Sequence, residues 1–466
     1  MSSVFHTYDI RGIVGEGPDV ISVDFAYKLG QVLVLFSKAK NIFVCRDARV
    51  HSPMLFDALC KGITDTGCNV SDLGISTIPY MVCSLGHLGG ECGIMITASH
   101  NTGEYNGFKI NMKGPRMIYE DNGLREIEMM MKTHTIFTAD VKGSISSLSV
   151  MDQYLKHLNE FYKVPLNRKI KIVIDAGNGV GFITAKEFFK GKLNIDVIEL
   201  YTNPDGTFPH HEANPVKFET LKDLQKTVKQ EKADLGIAYD GDADRVVFID
   251  RHGDILLPDQ TAALLAAYEL SNLSSYAPEI QDKKKNRTLY VDLRFSKAVD
   301  LFLQKKGATV ERMRVGNPFY KEKLFTDGGL MASEMSGHIM YPENFNADDA
   351  LFATIKMLNI LSSDIDLASI RQEFFGFVQS QELNYKVKDA DEAIRIIEQI
   401  FSDAYQTHMD GVTVESNAGW WFNLRKSNTE PLVRLRIEGH SQQEVDAVKA
   451  RIESAISALL ISNRDG

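Results

Sequence analysis

The chain has 466 residues, a formal net charge of −10 at pH 7, and a composition of 44% hydrophobic and 24% charged residues. This length exceeds what one hydrophobic core supports and predicts three or four domains, and the composition excludes a fibrous or disordered chain. The negative charge argues against nucleic acid or an anionic membrane as the main partner, whereas an anionic substrate would need a locally basic cleft.

The amino terminus and the cysteines predict a cytoplasmic protein. The first residues lack the basic and apolar regions of a signal peptide, and no apolar run is long enough to cross a bilayer. The five cysteines form no Cys-x-x-Cys pair and are odd in number. We therefore expect reduced, mostly buried thiols rather than disulfides or a metal site.

In chain order, the first candidate ligand group lies at residues 8–12, where Arg11 follows Tyr8 on a turn. An arginine there can form paired hydrogen bonds to a phosphate or a carboxylate, although this signal alone is weak. From Ile42 the chain then shows a strand, a charged turn, a helix and a second strand, and this pattern recurs from Lys171 and from Leu289. Alternating strands and helices predict parallel sheets.

After each copy, a further short strand ends in a polar loop. The three loops are residues 97–101, 240–245 and 334–338. We predict three related α/β domains with mixed or mostly parallel sheets, each contributing one loop to a shared cleft.

The connecting segments divide the chain further. A helix over residues 150–162 and another from Pro258 open the second and third domains, and the charged run 282–287 is most simply a solvated loop. Beyond residue 373 an amphipathic helix (389–404), a strand (420–424) and a capping box at Ser441 predict a smaller α+β domain. The predicted domains are residues 1–150, 151–256, 257–372 and 373–466.

The serine loop follows a short apolar strand, residues 93–96. Ser99 would lie at the carboxyl end of that strand, where open α/β sheets bind their ligands. The alternative is that the Ser99 hydroxyl only bonds its own turn.

The acidic loop places Asp240, Asp242 and Asp244 at alternate positions. Three carboxylates this close repel one another unless a cation neutralises them, and an all-oxygen set favours Mg²⁺. A calcium loop would need Gly and Glu where Arg245 and Arg251 stand, and a solvated acidic turn is the remaining alternative.

Two later loops offer groups for hydroxyls and for phosphate. Glu334, Ser336 and His338 offer donors and acceptors for ring hydroxyls, although a capped helix start would show the same residues. Residues 425–430 combine guanidinium, hydroxyl and backbone N–H groups into a candidate phosphate site, against a plain surface turn.

Together the four loops resemble those of the α-D-phosphohexomutase superfamily, most closely the bacterial phosphomannomutase/phosphoglucomutase enzymes. The matching segments are residues 97–101, 240–245, 334–338 and 425–431, and the resemblance spans nearly the whole chain. It implies four domains around a central cleft: three related α/β units and a smaller phosphate-binding domain.

The resemblance also implies the roles of the site residues. Ser99 would carry a phosphoryl group, and one Mg²⁺ per chain would be held by that group with Asp240, Asp242 and Asp244. The catalytic residues would be Ser99, Lys109, Arg245 and His100. The substrate-binding residues would be Tyr8, Arg11, Arg294, Asn317, Glu334, Ser336 and His338. The phosphate-binding residues would be Arg425, Ser427, Asn428, Thr429 and Arg434.

The sequence departs from the family pattern at two positions that concern proton transfer. Arg294 and Asn317 stand where close relatives carry Lys and His, and neither can act as a general base. Proton transfer would then fall to Lys109, His100 or His338, and Arg294 and Asn317 would bind substrate. Thr102, where many relatives have Pro, would alter only the rigidity of its turn.

The implied activity interconverts hexose 6-phosphate and hexose 1-phosphate through a hexose 1,6-bisphosphate, which also acts as activator. Mannose phosphate is the favoured substrate and glucose phosphate the alternative. The resemblance is to the mannose/glucose branch, because glucosamine-specific relatives usually have Gln where Met335 stands. A phosphoglucosamine mutase, a metal-dependent phosphatase and a silent sugar-phosphate binding protein stay open as competing hypotheses. The partner would be a small phosphosugar, not nucleic acid or membrane, and the protein a monomer or homodimer that supplies nucleotide-sugar synthesis.

Overall fold

The structure, a computed structural model, describes residues 4–17, 19–363, 366–374, 376–427 and 432–461. The chain divides into a first unit of residues 1–289 and 316–368 and a second unit of residues 290–315 and 369–466. Within the described ranges, no helix has the length and apolar character needed to span a membrane.

The first sheet of the first unit is mixed. Its strands are β1 (Ile10–Ile13), β2 (Asn41–Arg46), β3 (Asn69–Ile75), β4 (Cys92–Ile96), β5 (Tyr105–Met112), β6 (Arg116–Met117) and β7 (Ile145–Ser147). They lie in the order β1-β5-β4-β2-β3-β7, and β6 pairs with β5. β2 is parallel to β3 and β4, whereas β5 is antiparallel to β1 and β4. The turn after β2 and the serine loop after β4 therefore leave the same edge of the sheet.

The helices of this region are α1 (Val23–Ser37), α2 (Ser52–Asp65), α3 (Ile78–Leu88) and α4 (Leu124–Thr133). Buried residues of α1 and α2, such as Leu29, Leu33 and Leu59, share a core with Ile42 of β2 and Ile94 of β4. All five cysteines are buried and none forms a disulfide, as predicted. Burial raises the pKa of the Cys45 thiol to about 12, so this thiol stays protonated and unreactive.

The second sheet contains β8 (Ile170–Asp175), β9 (Ile195–Leu200), β10 (Leu235–Tyr239), β11 (Val246–Asp250) and β12 (Ile255–Leu256), in the order β12-β11-β10-β8-β9. β8, β9 and β10 are parallel, and β10 turns back into antiparallel β11. Tyr239 pairs with Val246, so the acidic loop is the connection of this hairpin. The helices are α5 (Met151–Phe161), α6 (Gly181–Phe189) and α7 (Lys222–Glu231).

The chain continues through α8 (Pro258–Ser271) and α9 (Pro278–Lys283), and it passes into the second unit within β13 (Thr288–Asp292). This part of the second unit contains α10 (Lys297–Gln304) and β14 (Thr309–Met313). Back in the first unit follow α11 (Asn317–Asp327), β15 (Met331–Ser333), β16 (Ile339–Tyr341), β17 (Ala347–Asp348) and α12 (Ala350–Leu361). β15, β16 and β17 pair antiparallel. Residues 334–338, which we call the sugar loop, join β15 to β16.

The charged run 282–287 differs from the predicted solvated loop. Lys284 is fully buried, and its ammonium lies 2.5 Å from Glu269 and 2.8 Å from Glu343. Lys356 contacts the same two carboxylates, at 2.9 and 2.8 Å. Burial would raise the pKa of Glu343, but the two lysines lower it to about 2. The prediction is wrong because the third residue of the run points into a compensated buried quartet, while its neighbour Lys285 is exposed.

The rest of the second unit is an α+β fold, as predicted for the end of the chain. Its further elements are α13 (Ile370–Glu373), β18 (Val378–Gln379), β19 (Leu383–Lys386), α14 (Ala390–Ile400), β20 (Tyr405–Thr407), β21 (Val412–Glu415), β22 (Trp421–Lys426), β23 (Leu432–Gly439) and α15 (Gln442–Ile456). The strands form an antiparallel sheet in the order β18-β23-β22-β21-β20, with β19 also on β23. α14 and α15 contribute to its apolar core through residues such as Ile397 and Ile452.

The helix ends of this domain follow their capping residues. Asp389 accepts hydrogen bonds from two N–H groups of the first turn of α14, and Ser441 accepts from Glu444 N at 3.2 Å. Ser441 is therefore the N-cap of α15, which begins at the next residue, whereas the Glu444 side chain accepts from His440 N and does not complete the predicted capping box. The predicted helix over 389–404 ends four residues early, at Ile400.

Candidate active site

Ser99 lies on the loop after β4, in a left-handed backbone conformation with φ of 50°. Its N–H donates to Thr97 Oγ1 at 2.8 Å, and its hydroxyl donates to Asp240 Oδ2 at 2.7 Å. The side chain is fully buried. The hydroxyl therefore reaches beyond its own turn to a carboxylate that lies 141 positions away in the sequence.

The backbones of the serine loop and the acidic loop approach each other closely at Gly241. A Cβ atom at this position would lie 2.3 Å from the carbonyl oxygen of Ser99. Any other residue would push the two loops apart, so glycine is required where Ser99 and Asp240 meet.

Arg49 holds the serine loop in place, although no sequence motif marks it. It is 1% exposed, and its guanidinium donates four hydrogen bonds to backbone carbonyls of the loop. The acceptors are the carbonyl oxygens of Ser99 (2.9 Å), Asn101 (2.6 Å), Thr102 (2.6 Å) and Tyr105 (2.9 Å). Its Nε donates to Asp47 at 3.1 Å. A planar fork with five donors suits this task, and no lysine could replace it.

The acidic loop is folded around Asp240. Asp240 Oδ1 accepts hydrogen bonds from the N–H groups of Asp244 and Arg245, both at 3.1 Å. The loop backbone is tied to two helix starts: Asp242 O accepts from Ile78 N, and Ala243 O accepts from Ala350 N. The three carboxylates are therefore held together, each 0–1% exposed.

Lys109 of β5 compensates this charge. Its ammonium lies 2.7 Å from Asp242 Oδ2 and 2.5 Å from Asp244 Oδ2. Burial alone would lower the pKa of Lys109, but Asp242 and Asp244 raise it above its ordinary value. Lys109 therefore remains protonated. This argues against the predicted general-base role and favours the electrostatic one.

The three carboxylates of the acidic loop also repel one another. Burial, with the charges of Asp244 and Asp242, raises the pKa of Asp240 well above its ordinary value. Burial would also raise the pKa of Asp244, but Lys109 and His338 lower it to about 2. Lys109 contacts two of the three acids, and Arg245 Nε lies 3.8 Å from Asp240 and 3.9 Å from Asp244, so two cations face three carboxylates.

The residues of the acidic loop fit a divalent cation. One oxygen of each of Asp240, Asp242 and Asp244 lies within 4.8 Å of the others. Asp242 Oδ1 and Asp244 Oδ1 are buried with no hydrogen-bond partner in the described part of the chain. Buried carboxylate oxygens without donors are the ligands that Mg²⁺ prefers.

His338 aligns Arg245 beside this loop. Arg245 Nε donates to His338 Nε2 at 3.0 Å, and His338 Nδ1 lies 2.8 Å from Asp348 Oδ2. Because Nε2 accepts from Arg245, Nδ1 is the ring nitrogen that donates to Asp348. Asp348 Oδ1 also forms an ion pair with Lys321 Nζ at 2.6 Å, and Asp348 Oδ2 accepts a hydrogen bond from Asn317 Nδ2 at 2.9 Å. One ligand atom from each of Asp244, His338 and Asp348 lies within 4.8 Å of the others, which is close enough for a metal ion. Asp348 is already neutralised by the ammonium group of Lys321, so this set is the weaker candidate.

His100 is the imidazole nearest the serine. Its Nδ1 lies 3.3 Å from Ser99 Oγ, and the side chain is half-buried. Burial and the charges of Arg245 and Arg11 hold the pKa of His100 well below its ordinary value. The ring is therefore neutral at neutral pH and able to accept a hydrogen bond.

Arg11 and Tyr8 lie at the edge of the same region. Arg11 on β1 donates to Asn101 Oδ1 at 2.7 Å and pairs with Asp9. Burial would lower the pKa of Arg11, but Asp9 raises it above its ordinary value. Tyr8 packs edge-on against Phe319 at 5.8 Å between ring centroids.

The predicted sugar loop adjoins the acidic loop in the first unit. Val246 N donates to Gly337 O at 3.1 Å, and Arg245 and His338 form an antiparallel bridge. Glu334 Oε1 accepts from Gly316 N at 2.9 Å, and its other carboxylate oxygen lies 3.5 Å from Ser336 Oγ. The serine, acidic and sugar loops are therefore brought together.

The remaining predicted residues lie in the second unit. Arg425, Arg434 and Arg294 gather around the carboxylate of Glu382, and Ser427 Oγ accepts from Arg434 at 3.2 Å. Asn428 and Thr429 lie outside the described residues. Glu382 was not identified from the sequence, since nothing in its neighbourhood in the chain marks it.

The first unit thus holds a buried serine hydroxyl on a triad of carboxylates, with Lys109 and Arg245 directed at the same place. A buried hydroxyl, oxygen ligands that suit a divalent cation and fixed positive charges are the groups that metal-dependent phosphoryl-transfer sites use.

The comparison with family models gives the particular family. Four models of the phosphoglucomutase/phosphomannomutase family match in order: alpha/beta/alpha domain I (residues 2–136), domain II (152–253), domain III (257–376) and the C-terminal domain (382–455). The chain belongs to this family and has its four-domain α/β architecture.

Individual relatives agree with this assignment. A phosphomannomutase/phosphoglucomutase of Pseudomonas syringae pv. tomato is 32% identical over 457 residues, which cover 96% of this chain and 93% of the relative. A phosphoglucomutase of Neisseria gonorrhoeae is 31% identical, covering 98% and 97%. The crystal structure of a phosphoglucomutase/phosphomannomutase family protein from Burkholderia thailandensis superposes with a TM-score of 0.85 at 30% identity, covering 98% of both chains.

Proposed function

We propose that this protein interconverts hexose 6-phosphate and hexose 1-phosphate, with mannose phosphate favoured and glucose phosphate also accepted. The observation that carries this proposal is the 2.7 Å hydrogen bond from Ser99 Oγ to Asp240 Oδ2 within a buried triad of carboxylates. The relatives named phosphomannomutase and phosphoglucomutase support the same activity.

Ser99 is the phosphoryl carrier in this mechanism. Asp240, Asp242 and Asp244, with the seryl phosphate, would hold one Mg²⁺ per chain. When bound, that ion neutralises the negative charge that spreads over the phosphoryl oxygens during transfer. Lys109 and Arg245 add fixed positive charge at the same place, in a site that excludes water.

The transfer breaks the bond between phosphorus and Ser99 Oγ as phosphorus bonds to the free hydroxyl oxygen of the sugar phosphate. The proton of that hydroxyl passes to the serine oxygen, and neutral His100, 3.3 Å away, is the group placed to relay it. The product is a hexose 1,6-bisphosphate and free Ser99. After the bisphosphate turns around, the reverse transfer returns the other phosphate to Ser99, so added bisphosphate would activate the enzyme by phosphorylating free Ser99.

The reorientation requires contacts that serve both substrate orientations. Glu334 and Ser336 bind ring hydroxyls in either orientation, and Arg425, Ser427, Asn428, Thr429 and Arg434 bind the phosphate that is not reacting. Tyr8, Arg11, Arg294, Asn317 and His338 complete the substrate site. In this proposal the protein is a cytoplasmic monomer or homodimer.

A comparison of substrates tests the proposal. Mannose 1-phosphate, glucose 1-phosphate and glucosamine 1-phosphate are supplied separately with Mg²⁺ and a catalytic amount of hexose 1,6-bisphosphate, and kcat/KM is measured for each. We expect isomerisation of the first two, no release of inorganic phosphate, and little activity without the bisphosphate.

Different results would identify a different activity. The highest kcat/KM for glucosamine 1-phosphate would make the protein a phosphoglucosamine mutase. Stoichiometric release of inorganic phosphate would make it a phosphatase, and binding without product would make it a silent binding protein.

A further inference from the structure

Two arginines of the second unit face each other across neighbouring strands. Arg425 of β22 and Arg434 of β23 are directly opposite in the antiparallel register. Like charges at such a pair are destabilising unless an anion lies between them. Arg425 is only 3% exposed, so solvent cannot screen this repulsion effectively.

The anion in the structure is the carboxylate of Glu382. Arg425 Nη2 donates to Glu382 Oε2 at 3.2 Å, and Arg434 Nη1 donates to Oε1 at 3.0 Å. Arg294 Nη1 also donates to Oε2, at 2.8 Å. One carboxylate therefore accepts from three guanidinium groups, which we call the arginine cluster.

The arginine cluster contacts more than one acid. The carboxylate of Asp292 accepts hydrogen bonds from Arg294 at 2.8 and 3.1 Å, and the charge of Asp410 acts on Arg425. Arg425 Nε is also buried with no hydrogen-bond partner among the residues that the structure describes. The cluster thus retains a buried donor for a further anion.

Glu382 is ionised at every pH at which the enzyme would work. Its burial would raise the pKa, but Arg294 and Arg425 lower the pKa of Glu382 to about 2. A phosphate monoester carries roughly 1.5 to 2 negative charges at neutral pH. Such a group cannot sit on Arg425 and Arg434 beside a bound carboxylate without strong repulsion.

We propose that Glu382 is an internal competitor for the phosphate site: its carboxylate occupies Arg425 and Arg434 until the nonreacting phosphate of the sugar displaces it. This inference rests on the proposed phosphate-binding role of these arginines. It adds a residue that weakens substrate affinity and so limits how tightly the bisphosphate is held.

The competition has a kinetic purpose in a mutase. The bisphosphate must leave the arginine cluster once per cycle in order to turn around, so a cluster that binds phosphate too tightly would slow turnover. A carboxylate that returns to the arginines as phosphate leaves compensates their charge and lowers the barrier to release. Glu382 would therefore raise KM and kcat together.

The test compares Glu382→Gln with Glu415→Gln in the full-length protein. Both substitutions remove one carboxylate of the second unit, but Glu415 forms its ion pair with Lys297, at 2.9 Å, and not with the arginine cluster. The dissociation constant of inorganic phosphate is measured by calorimetry, and KM and kcat by the mutase assay. Thermal unfolding shows that each variant is folded.

We expect Glu382→Gln to bind inorganic phosphate about tenfold more tightly, with KM and kcat both lowered, and Glu415→Gln to behave as the parent protein. Unchanged or weaker phosphate binding in Glu382→Gln would overturn the competition. If Glu382→Gln does not fold, Glu382→Asp, whose carboxylate is withdrawn by one methylene, should bind phosphate more tightly than the parent, and equal or weaker binding would overturn the inference.

Arg425→Ala distinguishes this inference from the assignment of the phosphate site. If Arg425→Ala weakens phosphate binding while Glu382→Gln leaves it unchanged, the arginines bind phosphate and only the competition is wrong. If Arg425→Ala leaves phosphate binding unchanged, the phosphate site itself lies elsewhere and the inference falls with it.

Discussion

The acidic loop of the first unit and the arginine cluster of the second unit are built from groups of opposite charge, and in each a single counter-ion contacts two or more of those groups. In the acidic loop, Lys109 contacts Asp242 and Asp244 at 2.7 and 2.5 Å. In the arginine cluster, Glu382 contacts all three arginines at 2.8 to 3.2 Å.

The difference lies in how the counter-ion is held. Lys109 is 5% exposed on a central strand of its sheet, whereas the Glu382 side chain is 24% exposed just before a short strand. A fixed ammonium can stabilise a transition state repeatedly without moving, which suits the reacting phosphate. A more exposed carboxylate can be displaced, which suits the phosphate that must be released. Changes in the first region should therefore act mainly on kcat and changes in the second on substrate affinity.

The largest effect is expected from Ser99→Ala, which removes the proposed phosphoryl carrier. kcat should fall by at least about 10⁴-fold, because no other group can form the seryl phosphate. The far-ultraviolet circular dichroism should be unchanged. Ser84→Ala is the matched control, since the buried Ser84 hydroxyl bonds a carbonyl of its own helix at 2.8 Å. Appreciable turnover in Ser99→Ala would place the carrier elsewhere.

Removal of the divalent cation should come next. Excess chelator should lower kcat by about 10³-fold, and added Mg²⁺ should restore it, because the carboxylates alone repel an incoming phosphate. A binding readout is also expected: Mg²⁺ should raise the melting temperature of the parent protein and not of Asp242→Asn. Full activity in excess chelator would count against the metal site.

Arg49→Lys should have an intermediate effect on kcat. Lysine cannot reproduce the fork that holds four carbonyls of the serine loop, so Ser99 loses its alignment and kcat should fall by about 10²-fold with little change in KM. Arg46→Lys in the same turn is the control, because Arg46 is 19% exposed and contacts Asp72 at 2.8 Å. Equal kcat values for the two variants would show that Arg49 does not position the loop.

The smallest effect concerns the acid stability of the second unit. The pKa of Glu382 is lowered to about 2 in the folded protein, so its ion pairs stabilise the fold above its ordinary pKa near 4.5 and are lost as the pH falls from there toward 2. The free energy of unfolding should drop by about 2–3 kcal/mol over that range.

Tryptophan fluorescence can follow this loss selectively, because the two tryptophans of the chain, Trp420 and Trp421, both lie in the second unit. Denaturant unfolding at pH 6 and pH 3 should show a smaller difference for Glu382→Gln than for Glu415→Gln. An equal difference in the two variants would mean that the arginines do not lower the pKa of Glu382.

Much of the fold could be predicted because local patterns determine it. Short apolar strands before polar loops, as at residues 93–96 and 235–238, indicate the strands and the edge where Ser99 and Asp240 lie. Alternating carboxylates indicate the cation-binding loop, because three acids within six residues must repel one another whatever the rest of the fold is.

The groups that could not be predicted depend on contacts that are distant in sequence. Arg49 looks like Arg46, and only the fold shows that one is buried against four carbonyls while the other is partly exposed. The role of Glu382 depends on contacts with arginines from three other segments of the chain. A solvated loop is predicted for Lys284 because its burial among two glutamates and a second lysine has no local signal. Compensated buried charges are set by packing, and a local pattern cannot reveal the partner.

The most direct test of the central claim is to locate the phosphoryl group on the protein. The enzyme is incubated with a hexose 1,6-bisphosphate and digested, and the peptides are analysed by mass spectrometry before and after addition of glucose 1-phosphate as acceptor. We expect the added mass of one phosphoryl group at Ser99 alone, and its loss to the acceptor within the time of turnover. A phosphoryl group at another residue, or active enzyme in which Ser99 never carries one, would contradict the account.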